Sequence, residues 1–500
     1  MALSRIWSAF IVVSVLVAAY HWLAGGDQGI FSRMVTGKAD DPYDSVACLL
    51  IGSPREAGFT SREGFEKFIG GYGYYPVTSP GRAQVLVADR VTLDSVRLMK
   101  QANPGLQVYD YRTIQYRLSR RADGIIETCK SAVTISLGLI GMLALFMGFL
   151  SIAERAGGVR FLSRIVGPFF SRVFPDIPKG HPAMGHMIMN FSANLLNLDN
   201  AATPFAIRAM ESLQELNPDK ERASNSQIMF LCLHAAGLTL IPVTIIAARS
   251  ALKAQSPIDI FVPCLIVTFV ATVAALLIVG LKQKINLFQP VILAWIGGIS
   301  ALIALLVVYL HRLNAGQVQI FSGLLGNGLL VLILLLIVAG GLYKGVPIFD
   351  AFVEGARGGF ETAVRIIPYL VGLLVAISML RTSGAFDFLI NGLKQLFVAM
   401  GTDTRFVDGL PTALIRPLSG AGGRGMMIDT MKNFGPDSFA GRLACILQSS
   451  SDTTFYVVAV YFGAVGIKNT RYAVGAMLLA DLVGILTAIL MAYLFFGAVA

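Results

Sequence analysis

Three strings in this chain concentrate the residue types that bind small molecules. The first, NFSANLLNLDNAATPFAIRAM over residues 190–210, places Asn190, Ser192, Asn194, Asn197, Asp199, Asn200 and Thr203 within 14 positions. Amides and hydroxyls both donate and accept hydrogen bonds without the full desolvation cost of a charge, which suits a neutral or zwitterionic solute. Thr203 followed by Pro204 reads as an N-cap with proline at the first helical position. The second string, RPLSGAGGRGMMIDTM over residues 416–431, sets Arg416, Ser419, Arg424 and Asp429 among Gly420, Gly422, Gly423 and Gly425. Glycines there allow positive φ and close backbone approach, and successive free amides would form an anion-binding nest. The string lacks the GK[ST] ending of a P-loop, and no strand precedes its glycines as a dinucleotide fingerprint requires.

The third string, QSSSDTTFY over residues 448–456, packs Gln448, Ser449, Ser451, Asp452 and Thr453 against apolar sequence on both sides. A carboxylate at membrane depth needs a cation, a proton or an arginine, and Arg416 or Arg424 is the expected partner of Asp452. A helix N-cap at Ser451 or Asp452 is the simpler reading and is compatible with binding. The expected substrate-binding residues are therefore Asn190, Ser192, Asn194, Asn200, Thr203, Gln227, Arg416, Ser419, Arg424, Gln448, Ser449, Ser451 and Thr453. Asp429 and Asp452 are the expected ion-coupling residues, with Na⁺ or H⁺ as candidate ions. HExxH, CxxC and GxSxG are all missing, so no catalytic residue, metal site or cofactor is expected. His186 and His234 read as loop or packing residues.

Polar strings of this kind matter because of what surrounds them. The 500 residues are 55% hydrophobic and only 14% charged, against about 25% charged in soluble domains. Apolar segments near 131–150, 226–247, 258–281, 288–311, 322–342, 366–380, 443–465 and 473–498 approach or exceed the length of a bilayer span. This excludes a large soluble enzyme. The net charge of +10 is scattered through loops and helix ends, which excludes nucleic acid as the partner.

Residues 1–24 read as an uncleaved N-terminal anchor helix rather than a signal peptide. Residues 25–120 carry charges of both signs and alternating strand-like runs, AQVLVAD and LQVYDYRTIQYRL, with Ser61 as a candidate helix N-cap. They predict a small soluble α/β or α+β insert. The basic loop over 151–180, with Arg155, Arg160, Arg164, Arg172 and Lys179, predicts a cytoplasmic side, which puts the insert outside and the N-terminus inside.

The two halves echo each other. Gly157 and Gly384 lie 227 positions apart, the polar stretches at Asn190 and Arg416 lie 226 apart, and Ser226-Gln227 and Ser451-Asp452 lie 225 apart. Repeats with short, interrupted apolar segments are a transporter signature, in which helices break near the midplane and their freed ends face a substrate.

On the strings FPDIPKGHPAMGHMIMNFSANLLNLDNAATPFAIRAM and LTLIP, residues 121–250 resemble the spore maturation protein A family. On RPLSGAGGRGMMIDTMKNFGPDSFAGRLACILQSSSDTTFYVVAVYFGAVGIKNTRYA, residues 345–495 resemble spore maturation protein B. The chain looks like a fusion of the two, within the nucleoside-recognition or gate superfamily, which includes gate segments of nucleoside and ferrous-iron transporters. The resemblance implies a polytopic, transport-like protein with paired units and leaves the substrate open. The 25–120 insert departs from the family pattern.

The expected fold is an all-α polytopic membrane protein with two repeated gate-type units and broken helices, plus a small soluble α/β insert after the first helix. The expected domains are the anchor at 1–24, the insert at 25–120, a first gate unit at 121–257, connecting membrane helices at 258–344 and a second gate unit at 345–500. The expected function is ion-coupled uptake or export of a small polar solute, such as a nucleoside or amino acid, across a bacterial cytoplasmic membrane. The expected partners are that solute, the bilayer and, as a candidate, a second copy of the chain. The alternative is a non-transporting assembly factor or receptor whose insert binds a protein partner.

Overall fold

A computed structural model describes residues 2–24, 29–37, 48–51, 84–87, 107–109, 123–197, 199–313 and 315–497. Helix α1 covers Ala2–Leu23 and α2 covers Ile30–Thr36. Three strand fragments follow, β1 (Cys48–Ile51), β2 (Gln84–Val87) and β3 (Gln107–Tyr109), joined antiparallel in the order β2-β1-β3. The remainder is helical: α3 (Ile125–Arg155), α4 (Gly158–Val173), α5 (Pro182–Leu195), α6 (Asp199–Leu216), α7 (Asn225–Ala235), α8 (Val243–Ala251), α9 (Phe261–Lys282) and α10 (Pro290–His311). Then come α11 (Ala315–Tyr343), α12 (Ile348–Thr382), α13 (Ala385–Ala399), α14 (Leu410–Ile415), α15 (Gly420–Phe434), α16 (Phe439–Ser449), α17 (Thr454–Val457) with a π turn over Val458–Phe462, and α18 (Ala473–Phe496).

The expected α/β insert is corrected. The protein is an all-α, multi-span membrane fold of repeated helical units. Among the described residues of 25–120, a short helix and three strands of three or four residues are present. Fragments this short do not make a domain by themselves. The helix expected after Ser61 and most of LQVYDYRTIQYRL lie outside the described residues.

Six of the described helices are long and apolar enough to cross a bilayer, Ile125–Arg155, Phe261–Lys282, Pro290–Leu310, Gly323–Tyr343, Ile348–Thr382 and Ala473–Phe496. The two segments expected to span at 226–247 and 443–465 are instead interrupted, the first between α7 and α8, the second between α16 and α17. The basic stretch expected as a loop is helix α4, whose Arg160, Arg164 and Arg172 are exposed while Val159, Val166, Phe170 and Val173 are buried. The expected N-cap at Thr203 is also displaced. Helix α6 begins at Asp199 and carries Pro204 inside it, where the proline removes one backbone bond near the helix start.

The chain forms two compact units. One holds residues 8–131 and 375–389, where Ala18, Ile30 and Met34 form a small core and the Ser378 hydroxyl donates to the Asp123 carbonyl. The other holds residues 1–7, 132–374 and 390–499. Within it, α9 and α18 pack along each other and the broken pairs α7–α8 and α16–α17 nest against them.

The repeat is visible in local geometry. Gly157 and Gly384 both take left-handed backbone, φ 81° and 82°, at the same kind of corner, between a long helix and an amphipathic one. Helices α7 and α16 are each eleven residues long, each begun by a serine cap, Ser224 or Ser438, and each followed by a break and a long span. Ser226-Gln227 therefore does not correspond to Ser451-Asp452. The former lies in the first turn of α7, and the latter in the break after α16, so the spacing shrinks from 227 to 214 between the two landmarks.

Candidate functional site

The two breaks meet. The Asp452 amide in the second break donates to the Ala235 carbonyl at the end of α7, 2.7 Å away. Gly237, at φ 64°, turns the first break beside it, and a Cβ there would lie 3.5 Å from the Asp452 nitrogen. The positive φ favours glycine at this position, while the neighbouring segment is at ordinary contact distance. Each break is also tied to its own repeat: the Leu240 amide to the Leu195 carbonyl, and the Phe455 amide to the Pro417 carbonyl.

A cavity of about 840 Å³ opens at this junction. Asn194, His234, Gly237 and Thr239 line it from the first repeat. Arg416, Ser419, Arg424, Gln448, Ser449, Ser451, Asp452 and Thr453 line it from the second. Nine of the expected residues thus face one space, although 222 positions separate Asn194 from Arg416.

Arg416 organises the second repeat's side. Its Nε donates to the Ser451 carbonyl at 2.8 Å and its Nη1 to the Thr453 hydroxyl at 3.4 Å. Its Nη2 lies 3.6 Å from Asp452 Oδ1, the expected ion pair, which also accepts the Thr453 amide at 2.7 Å. Ser419 caps α15 by accepting from the Gly422 amide at 3.0 Å.

The glycine string does not form the expected nest. Gly420, Gly422, Gly423 and Gly425 are all helical, with no positive φ. Their small size is what counts. A Cβ at Gly420 would fall 2.7 Å from Thr453 Oγ1 and 2.9 Å from Arg416 Nη1, and one at Gly423 would fall 2.6 Å from Gln448 Oε1. The bare first turn of α15 lets a guanidinium, a hydroxyl and a carboxamide close against it.

On the first repeat's side polar groups gather around the His234 ring, whose Nδ1 donates to Asn190 when it carries the proton and accepts from Asn194 when it does not. His234 Nδ1 lies 3.0 Å from Asn190 Oδ1 and 2.9 Å from Asn194 Nδ2, and Asn190 Nδ2 donates to the Ala202 carbonyl at 2.7 Å. The His234 ring also meets the edge of Tyr461 at 4.9 Å. Asn190 is fully buried behind His234 rather than in the cavity wall. Ser192 is buried too, 3.3 Å from the Ser163 hydroxyl.

The other expected residues lie elsewhere. Gln227 is spent in the capping box of α7, where its Oε1 accepts the Ser224 amide at 2.8 Å and its Nε2 donates to Gln214. Asp429 is buried in α15 and accepts from Asn433 Nδ2 at 2.8 Å, away from the cavity wall. Thr203 sits on α6 outside the lining, and the side chain of Asn200 lies outside the described residues.

Two site residues were not expected. His234 sits in an apolar run, FLCLHAAG, which gives no polar signal. Asp481, a buried carboxylate in α18, accepts the Thr454 hydroxyl at 2.7 Å at the start of α17. Its position six residues after Gly475 within an apolar helix was the one available hint, a lone acid in a span. No group of His, Cys, Asp or Glu that could hold a metal occurs among the described residues.

Loops from the two repeats clasp each other at both ends. At one end, Arg249 and Arg442 share Asp259 and Asp437. Arg249 Nη2 lies 2.8 Å from Asp259 and 2.9 Å from Asp437, and Arg442 Nε lies 2.8 Å from Asp259. Arg249 Nη1 also donates to the Pro436 carbonyl. At the other end, the Lys468 and Asn469 amides donate to the Glu221 carbonyl and the Ala223 amide to the Asn469 carbonyl, each at 2.9 Å.

The family described as nucleoside recognition (Gate) matches residues 136–252 and 363–468. Spore maturation protein B of Bacillus subtilis (strain 168) is 49% identical over 176 residues, 34% of this chain and 97% of that protein. Spore maturation protein A of the same organism is 42% identical over 156 residues, 31% of this chain and 80% of that protein. Among solved structures, the Alcanivorax borkumensis YdaH transporter aligns with 87% of this chain and 96% of its own, at 14% identity and a TM-score of 0.38. A score that low carries no argument.

Proposed function

Because the chain belongs to the nucleoside recognition (Gate) family, we propose that it carries a small polar solute across the cytoplasmic membrane, bound where its two broken helices meet. The observation behind this reading is the convergence of Asn194, Arg416, Gln448 and Asp452 on one cavity at the junction of two repeats. Broken helices free backbone groups and helix ends for a ligand at membrane depth, where nothing else makes such polarity tolerable. The cavity is within the size range of small-molecule sites and is mixed in character, with charged and amide groups among apolar walls. Asp452, facing the cavity beside Arg416, is the residue to which an ion-coupling role is assigned. The positive-inside rule supports a cytoplasmic side for the exposed arginines of α4, and with it our reading of an N-terminus inside and residues 25–120 outside.

The test is transport by the purified full-length chain in liposomes, with radiolabelled nucleosides, amino acids and dicarboxylates, under an imposed Na⁺ or H⁺ gradient. One of these solutes should accumulate, and Asp452→Asn should abolish gradient-driven flux while solute counterflow persists. Saturable binding with neither flux nor counterflow would instead support a non-transporting receptor.

A further inference from the structure

We propose that the coupling ion is Na⁺ and that it sits between the second break and α18, held by the Asp481 carboxylate, the Thr454 hydroxyl and the Ser450 carbonyl. The coupling rests on the reading of the cavity as a solute site. The ion's seat rests on three observations of its own.

The first is a buried acid without a base. Asp481 lies within the span Ala473–Phe496, is 3% exposed and accepts the Thr454 hydroxyl at 2.7 Å, but no lysine, arginine or histidine pairs with it among the described residues. Asp259, buried as deeply, is held by two arginines, and Arg416 across the break pairs with Asp452. An ionised carboxylate at membrane depth needs a cation.

The second is a set of neutral oxygens beside it. Helix α16 ends at Ser449, so its last carbonyls receive no bond from a following turn and carry the negative end of the helix dipole. The amides of Asp452, Thr453 and Phe455 donate elsewhere, to Ala235, to the Asp452 side chain and to Pro417. Gly484 lets the Ser450 carbonyl close onto α18, since a Cβ there would fall 2.7 Å from its oxygen. Gly484 follows Asp481 by three residues, on the same face of the helix. A carboxylate and a helix C-terminus so placed repel each other unless a cation lies between them, and unwound carbonyls and half-helix ends of this kind coordinate Na⁺ at broken membrane helices. A proton needs a single acceptor and a divalent ion more than one carboxylate. One carboxylate with a hydroxyl and a carbonyl fits a monovalent metal ion.

The third is that the break has two sides. Ser450 and Thr454 face α18, whereas the Ser451 carbonyl, the Asp452 carboxylate and the Thr453 hydroxyl gather round Arg416 in the cavity wall. Residues 450–454 therefore join the ion's seat to the solute's. An ion drawn to Asp481 fixes the segment on which Asp452 and Arg416 are arranged, so Asp452 transmits the ion's presence and Asp481 binds it.

The test is binding of radiolabelled Na⁺ to the detergent-solubilised full-length chain, with unfolding temperatures read in NaCl, KCl and choline chloride at equal ionic strength. Na⁺ should bind saturably and raise the unfolding temperature, and K⁺ and choline should not. Asp481→Asn should abolish both effects yet unfold no lower than the unaltered chain in choline, because it removes a buried charge that lacks a base. Thr454→Val, which keeps the side chain's shape, should weaken Na⁺ binding about tenfold, the worth of one ligand contact. Asp452→Asn should still bind Na⁺ while losing gradient-driven flux. Na⁺ binding that survives Asp481→Asn, or an affinity unchanged in Thr454→Val should the first variant fail to fold, would overturn the seat. Equal effects of Na⁺, K⁺ and choline would overturn the ion. Flux driven by a pH gradient without Na⁺ binding would make Asp481 a proton site, overturning Na⁺ while the solute reading stands. Na⁺ bound at Asp481 with neither flux nor counterflow of any solute would strike the coupling and the carrier reading and leave the ion's seat in place.

Discussion

The two clasps that hold the repeats together are built from different chemistry. One is a buried four-charge network in which Arg249 is wholly inaccessible and Asp259 and Arg442 nearly so. The other is a short run of backbone bonds with an ion pair, Glu221–Lys468, whose side chains are 67% and 75% exposed. Topologically they are equivalent: in each, the loop before one repeat's capped helix grips the segment after the other repeat's break. Separating the first leaves charges stranded in a low-dielectric interior. Separating the second hands its groups to water. A protein that must open a central cavity can do so at the second end without disturbing the first.

The comparison can be broken most severely at the buried network. Asp259→Ala leaves the buried Arg249 and Arg442 with only the half-buried Asp437 between them. The expected loss is about 3–5 kcal/mol, read as a large fall in unfolding temperature or failure to accumulate folded protein. His234→Ala comes next. It removes the partner of Asn190 Oδ1, a buried acceptor, at a cost of about 1–3 kcal/mol in denaturant or thermal unfolding.

Gly423→Ala sharpens the distinction between stability and binding. Helix propensity alone favours alanine by roughly 1 kcal/mol, yet the new Cβ would crowd Gln448 Oε1. Solute affinity should fall by about tenfold or more while the unfolding temperature changes far less than for Asp259→Ala. The smallest stability effect belongs to the exposed clasp. Lys468→Ala should change stability by no more than about 1 kcal/mol. Glu221→Cys combined with Lys468→Cys, once oxidised, should nevertheless stop flux in liposomes, and reduction should restore it. Flux unaffected by that crosslink would show that this end need not part.

Much of the site was legible because polarity in an apolar sequence is conspicuous. Gln448, Ser451 and Asp452 stood out against FYVVAVY, and charge alone named Arg416 or Arg424 as the partner of Asp452, of which Arg416 lies beside it. What failed was anything that depended on where a helix starts. Gln227 looked like a binding residue until Ser224 began α7 and drew it into a capping box. The glycines of RPLSGAGGRG predicted a turn, but the Ser419 cap starts a helix and makes them a gap for neighbouring side chains. His234 was hidden because a single histidine among apolar residues matches ordinary packing, and only the meeting of two breaks puts it in a cavity wall. The membrane class and the repeat were readable from composition and spacing. The register of the repeat was not, because the halves differ in loop and helix length between the left-handed glycine corner and the serine-capped helix.

The most direct test is a structure of the full-length chain determined with the tightest-binding solute from the panels above. Density for that solute between His234 and Asn194 on one side and Arg416, Gln448 and Asp452 on the other is the predicted result. Solute seated outside this cavity, or a cavity left unchanged at saturating solute, would contradict it.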